Sequence, residues 1–172
     1  MATLCRRVFG PLLVLIAACA DPAVGPPTVI EVVDGDTIVI EVGGATERLR
    51  LLGIDTPESV DPTRPVQCFG PEASARLAEL LPPGTPIRVE RDTEARDRYG
   101  RLLGYVHRAD DDLFVNEALL RDGYADLLVM EPNTAYTDAL RTALTAARTA
   151  NAGLWGVCGG ADVALDPPPP TG

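Results

Sequence analysis

The chain contains no lysine; all 15 of its basic residues are arginine. Such a bias is compatible with genome composition and implies no mechanism. Histidine occurs once, at His107, so chemistry that needs two imidazoles is closed to it, and His107 reads as an ordinary strand residue. Positive charge is in deficit: 15 basic residues face 25 acidic ones, for a formal net charge of −10. Proteins that grip polyanions nonspecifically are usually basic, so any binding of nucleic acid must rest on a local site. The apolar stretch from Val8 to Ile16 is too short to cross a bilayer. No internal repeat is present, and 172 residues suit one domain plus processing segments.

Cysteine is also scarce, and the four present sort by position. Residues 1–18 have the layout of a secretory signal, with Arg6 and Arg7 before the apolar stretch. Ile16-Ala17-Ala18-Cys19 then resembles a bacterial lipobox, in which Cys19 is lipidated and becomes the mature N-terminus; an ordinary signal cleaved nearby is the plainer alternative. The expected product is exported and held at the cell membrane by its lipid, facing outward, or secreted if Cys19 is not lipidated. Residues 19–27 read as a short Pro-rich tether. Cys5 falls in the leader, which leaves Cys68 and Cys158. In an exported protein they are expected to form a disulfide. A closed loop of about 90 residues is worth on the order of 4–5 kcal/mol. Neither has a Cys or His neighbour at zinc spacing.

The folded domain is expected over residues 28–158. Thr28 to Val33 and Thr37 to Val42 are β-branched and apolar around an Asp34-Gly35-Asp36 turn, and Gly43-Gly44 leads into a third strand. After a loop from Ser59 to Gly70, Pro71 to Leu81 reads as a helix with Ala73, Leu77, Leu80 and Leu81 on one face. Pro86 to Glu90 and Leu102 to His107 complete five strands. Val115 to Arg121 and Thr134 to Asn151 read as further helices, with Trp155 packed beneath the second. Asp110-Asp111-Asp112 suits a solvated turn. Residues 159–172 are expected to be a disordered Pro-rich tail. The pattern predicts an α+β fold: a five-stranded β-barrel of the oligonucleotide-binding (OB-fold) type with about three helices.

Arg48 to Glu58 concentrates the chemistry. Leu49 and Leu51 alternate with Arg48 and Arg50, and Thr56-Pro57 then breaks the strand. This brings an arginine, Asp55 and Glu58 to a strand end. A carboxylate suits a hard metal ion, a guanidinium suits a phosphate, and a second carboxylate can take a proton from water. A surface salt-bridge cluster is the plainer reading of such a trio. The Asp34-Gly35-Asp36 turn, paired with Asp55 on the neighbouring strand, makes a candidate two-carboxylate metal site.

Several separated blocks extend the pattern: Val33-Asp34-Gly35-Asp36-Thr37, Arg50 through Glu58, Asp97-Arg98-Tyr99-Gly100-Arg101, and Val115-Asn116-Glu117-Ala118-Leu119. In this order and spacing they resemble the staphylococcal nuclease-like (thermonuclease) family, and Pro65 through Ala73 resembles its exported bacterial members. The resemblance implies hydrolysis of DNA or RNA to 5′-hydroxyl and 3′-phosphate ends. It implies that Asp36, Asp55 and the Thr56 carbonyl bind one Ca²⁺, with Asp34 just outside that shell. It assigns the scissile phosphate to Arg50 and Arg101, the attacking water to Glu58, and a place along the substrate groove to Tyr99. Leu128 and Met130 stand where the best-known member has two tyrosines. The expected partners are the nucleic acid, and the membrane through the lipid anchor alone; the expected state is a monomer. A barrel that binds nucleic acid or protein at the cell surface without cutting is the alternative, and an adhesion lipoprotein a third. Retention of Asp36, Arg50, Asp55, Glu58 and Arg101 together favours the enzyme.

Overall fold

The computed structural model describes residues 25–59, 63 and 65–164. The leader, Cys19, most of the tether and residues 165–172 of the expected tail lie outside the described residues.

Three strands, β1 (Thr28–Asp34), β2 (Thr37–Val42) and β3 (Ala45–Leu51), form an antiparallel meander. Asp34-Gly35-Asp36 and Gly43-Gly44 make its turns, and both glycines of the second have positive φ. The chain continues through β4 (Gly53–Asp55), helix α1 (Gly70–Leu80), β5 (Ile87–Glu90) and β6 (Leu102–Arg108). Then come α2 (Val115–Arg121), β7 (Asp126–Leu128), α3 (Thr137–Ala150) and the short α4 (Leu154–Val157). The main sheet has five strands in the order β1-β2-β3-β6-β5, with β3 and β6 parallel. The described residues are thus mixed α+β with a five-stranded sheet, as expected, and with four helices where the sequence suggests about three. Three backbone hydrogen bonds link β1 and the residue before it to β5 and the turn before that: Ile87 N to Pro27 O at 2.8 Å, Val29 N to Thr85 O at 2.9 Å, and Gly84 N to Val29 O at 2.8 Å.

The core lies between the sheet and the helices. Ile38, Leu49 and Leu51 come from the sheet, Leu77 from α1, Leu119 and Leu120 from α2, and Leu140 from α3; all are fully buried. Each such side chain contributes roughly 1.5–3 kcal/mol relative to exposure. Leu154, next to Trp155, is the fully buried residue of α4. Trp155 is half-buried against the core and carries the Arg148 guanidinium 4.3 Å above its ring.

Two short strands, β4 and β7, stand outside the five that the sequence suggests. The apolar pattern from Leu49 to Ile54 reads as continuous, but the structure divides it at Leu52. Gly53 has a φ of 76°, which a side chain resists, and a Cβ there would collide with Leu140 of α3. The Leu52 carbonyl, turned out of the main sheet, is taken by Nδ2 of the buried Asn116 at 2.7 Å, whose Oδ1 accepts from Val106 N at 2.9 Å. Downstream of the break, β4 leaves the main sheet and pairs with β7. The divergence delivers Asp55, Thr56 and Glu58 to one end of the meander.

Candidate active site

The Asp34-Gly35-Asp36 turn forms one wall. Asp36 N donates to Asp34 Oδ1 at 3.1 Å, and Thr37 Oγ1 donates to Asp36 Oδ1 at 3.0 Å, which fixes the Asp36 carboxylate. A Cβ on Gly35 would stand 2.6 Å from Thr56 Oγ1, so only glycine lets this turn lie against the β4 exit. Burial first, and the Asp36 carboxylate second, push the Asp34 carboxyl up to about 6.

Arg50 crosses the floor. It is paired with Thr37 of β2 and Leu103 of β6, and it is only 6% exposed, whereas Arg48 on the same strand face lies in solvent. Its Nη1 donates to the carbonyls of Leu51 at 2.7 Å and Ile54 at 2.8 Å. Its Nη2 lies 2.9 Å from Asp36 Oδ2 and 3.0 Å from Asp55 Oδ1. The split between β3 and β4 makes this possible, because it presents the Ile54 carbonyl and Asp55 to a residue several positions earlier. Thr56 N also donates to Asp36 Oδ2, at 3.3 Å.

Two carboxylate oxygens, one from the β1-β2 turn and one from β4, therefore converge on one cationic atom. Hard oxygen donors in that arrangement suit a calcium ion, whose coordination is flexible. Among the described residues no group of three or more His, Cys, Asp and Glu side chains is assembled for a metal. Such an ion would complete its shell with backbone carbonyl and water, as calcium commonly does.

Arg101 and Glu58 also line the cleft. Arg101 donates from Nε to Asp97 Oδ2 at 2.7 Å and from its backbone to Asp97 Oδ1 at 3.0 Å. Burial raises the Asp97 carboxyl, but these bonds and one from Tyr99 N outweigh it and hold the group below the usual carboxylate range. Glu58 sits in irregular chain after Pro57. Its N donates to Gln67 Oε1 at 2.6 Å, and its Oε1 accepts from Ser59 N at 2.9 Å.

Together Asp34, Asp36, Arg50, Asp55, Thr56, Glu58 and Arg101 line one cleft of about 230 Å³. Tyr99 is not in it. Its ring is 70% exposed, 5.6 Å from the Arg101 guanidinium carbon, and it lines a neighbouring groove with Leu103 and Met130. The expected disulfide is present, with 6.0 Å between the Cα atoms of Cys68 and Cys158. Three further residues line the cleft: Pro57, Gln67 and Asp162. Gln67 falls in the 65–73 stretch that resembles exported family members, and Asp162 in the expected tail; no local pattern marks either.

The chain matches the model of the family described as staphylococcal nuclease homologue over residues 48–157. It is 38% identical to a thermonuclease of Staphylococcus hyicus over 127 residues, covering 74% of this chain and 73% of that protein. It is 39% identical to a thermonuclease of Staphylococcus intermedius over 124 residues, covering 72% of each. It is 39% identical to endonuclease YncB of Bacillus subtilis over 134 residues, covering 77% of this chain and 62% of that protein. With a family match from β3 to α4 and thermonucleases this similar along nearly three quarters of both chains, the chain belongs to the staphylococcal nuclease family.

Proposed function

We propose that this protein is a calcium-dependent nuclease that hydrolyses phosphodiester bonds of DNA or RNA and leaves 5′-hydroxyl and 3′-phosphate ends. The observation that carries the reading is the single cleft joining a buried guanidinium, two converging carboxylates, a second arginine and a glutamate. The thermonuclease and endonuclease relatives agree with it.

Asp36, Asp55 and the Thr56 carbonyl would hold one Ca²⁺, with Asp34 behind Asp36. Bound there, the ion supplies positive charge against the phosphoryl oxygens. The protein's own groups do the rest. Arg50 is held rigidly by two carbonyls and two carboxylates, so it offers a preorganised positive charge where negative charge develops. Arg101 commits Nε to Asp97, which leaves its two Nη groups for phosphate oxygens. Glu58 takes a proton from the attacking water, the new P–O bond forms, and the bond to the 5′-oxygen breaks as that oxygen takes a proton from solvent water. Tyr99, exposed beside Arg101, offers a ring face along the neighbouring groove.

The sheet is read as a barrel of the oligonucleotide-binding type, supported by the hydrogen bonds from β1 to β5 and the turn before it. The protein is read as a monomer, since one chain supplies every residue of the cleft. It is read as exported, with lipid on Cys19 as anchor; a disulfide fits an oxidising compartment.

The test is cleavage of single-stranded DNA and RNA by the parent and by Glu58→Gln, with Ca²⁺ and with a chelator. Cleavage should require Ca²⁺, and Glu58→Gln should lose at least about 10²-fold in turnover while still binding nucleotide. Undiminished cleavage in chelator, or parent-rate cleavage by Glu58→Gln, overturns the assignment.

A further inference from the structure

Glu58 has a demanding place to keep without a strand or helix to keep it. Displacement of a catalytic group by about 1 Å can cost around 10²-fold in rate. The structure holds its backbone by one residue. Glu58 N donates to the side-chain Oε1 of Gln67 at 2.6 Å, and Glu58 O accepts from the backbone N of Gln67 at 2.8 Å. Gly70 closes in behind: a Cβ there would stand 2.5 Å from Glu58 O.

Gln67 is itself buried and held from the far side. Its Nε2 donates to Asp162 Oδ1 at 3.1 Å. Both ends of the amide are thus used, the oxygen by a backbone donor and the nitrogen by a carboxylate, and only a carboxamide satisfies both. Asp162 belongs to the stretch after α4, which returns antiparallel to Gln67: Cys68 N donates to Val163 O at 2.7 Å, and Gln67 bridges Ala164. The disulfide joins the same two segments, one residue beyond Gln67 and four before Asp162.

We propose that Gln67 is a positioning residue for Glu58, held by Asp162, so that residues 158–164 belong to the working site although the sequence assigns all but the first of them to a tail. The proposal rests on the nuclease reading, in which Glu58 acts on water.

The experiment measures kcat and KM on single-stranded DNA for Gln67→Leu, Gln67→Glu and Asp162→Ala, each in the parent and in the Glu58→Gln background. Amide exchange at Glu58 N–H is followed in the same proteins. Gln67→Leu should lower kcat by about 10- to 100-fold with KM changed less than about twofold, and Glu58 N–H should exchange faster while β2 and β3 amides do not. In the Glu58→Gln background the same substitution should change the rate less than about twofold, because it acts through Glu58. Gln67→Glu retains the acceptor for Glu58 N–H but sets a carboxylate against Asp162; Asp162→Ala should restore part of its rate. If Gln67→Leu fails to fold, Asp162→Ala alone should show a smaller loss of kcat at constant KM. A parent that cleaves nothing refutes the nuclease reading, and the positioning role with it. A parent that cleaves, with Gln67→Leu at parent rate or equally impaired beside Glu58→Gln, refutes the role of Gln67 alone. So does Asp162→Ala at parent kcat.

Discussion

Arg50→Met tests the centre of the site most directly. The substitution keeps an unbranched side chain of similar reach and removes the guanidinium that touches Asp36, Asp55, and the carbonyls of Leu51 and Ile54. Asp36 is 6% exposed, so its charge is left buried without its partner. Breaking a buried pair on one side costs about 3–5 kcal/mol. The Asp55 side chain is 49% exposed and recovers hydration, which places the expected loss near the lower end, about 3 kcal/mol. With an m-value of roughly 1–3 kcal/mol/M, the urea midpoint at pH 7 in chelator should fall by at least about 1 M. Calcium adds a second arm. In the variant the guanidinium between the two carboxylates is gone, so Ca²⁺ should restore stability, by about 2.7 kcal/mol at a hundredfold excess over its dissociation constant. A loss under about 1 kcal/mol would show that Arg50 is not the partner of a buried charge. A variant that calcium leaves unchanged would show that the carboxylates do not hold the ion.

Two other outcomes follow from the same structure. Replacing Cys68 and Cys158 by serine should cost about 4–5 kcal/mol in denaturant unfolding, given the separation of 90 residues; a loss below about 1 kcal/mol would refute the chain-entropy account. Asp34, with its carboxyl raised from 3.8 to about 6 in the fold, binds its proton more tightly folded than unfolded. Stability in chelator should therefore fall as pH rises from about 4 to 6 and stay lowered above that. Asp34→Asn removes this penalty and should stabilise the protein by about 1–2 kcal/mol at pH 8 and by nothing below pH 4, the full value being trimmed because Asp34 is partly solvated. An equal effect at both pH values would mean that the gain is not ionic.

The reach of the sequence is visible residue by residue. Local alternation and turn chemistry gave the β1-β2-β3 meander, since pairing across a short turn depends only on neighbours in the chain. Helical spacing and end residues gave α1, α2 and the body of α3; α3 starts at Thr137, three residues later than read. Asp36, Arg50, Asp55, Glu58 and Arg101, which line one cleft, could be picked out in the sequence because they stand in short blocks with turn or strand context. Cysteine counting gave the disulfide.

Tertiary structure decided what those residues do to one another. Period-two alternation treats Arg48 and Arg50 alike, yet one is solvated and the other buried, because the strand enters the sheet between β2 and β6 only near its end. The parallel pairing of β3 with β6, the departure of β4 to β7, and the Gln67–Asp162 contact each join residues 50 or more positions apart. No local period encodes a contact between distant segments. It is fixed when the core forms and buried polar groups such as the Leu52 carbonyl must find partners. The sequence by itself marked the β1-β2-β3 meander, β5, β6 and the three longer helices, and the side chains proposed to carry the chemistry. Only the packed chain decided that Arg50 lies between two carboxylates and that the segment after Cys158 returns to hold the loop of Glu58, because both depend on long-range burial and hydrogen bonding.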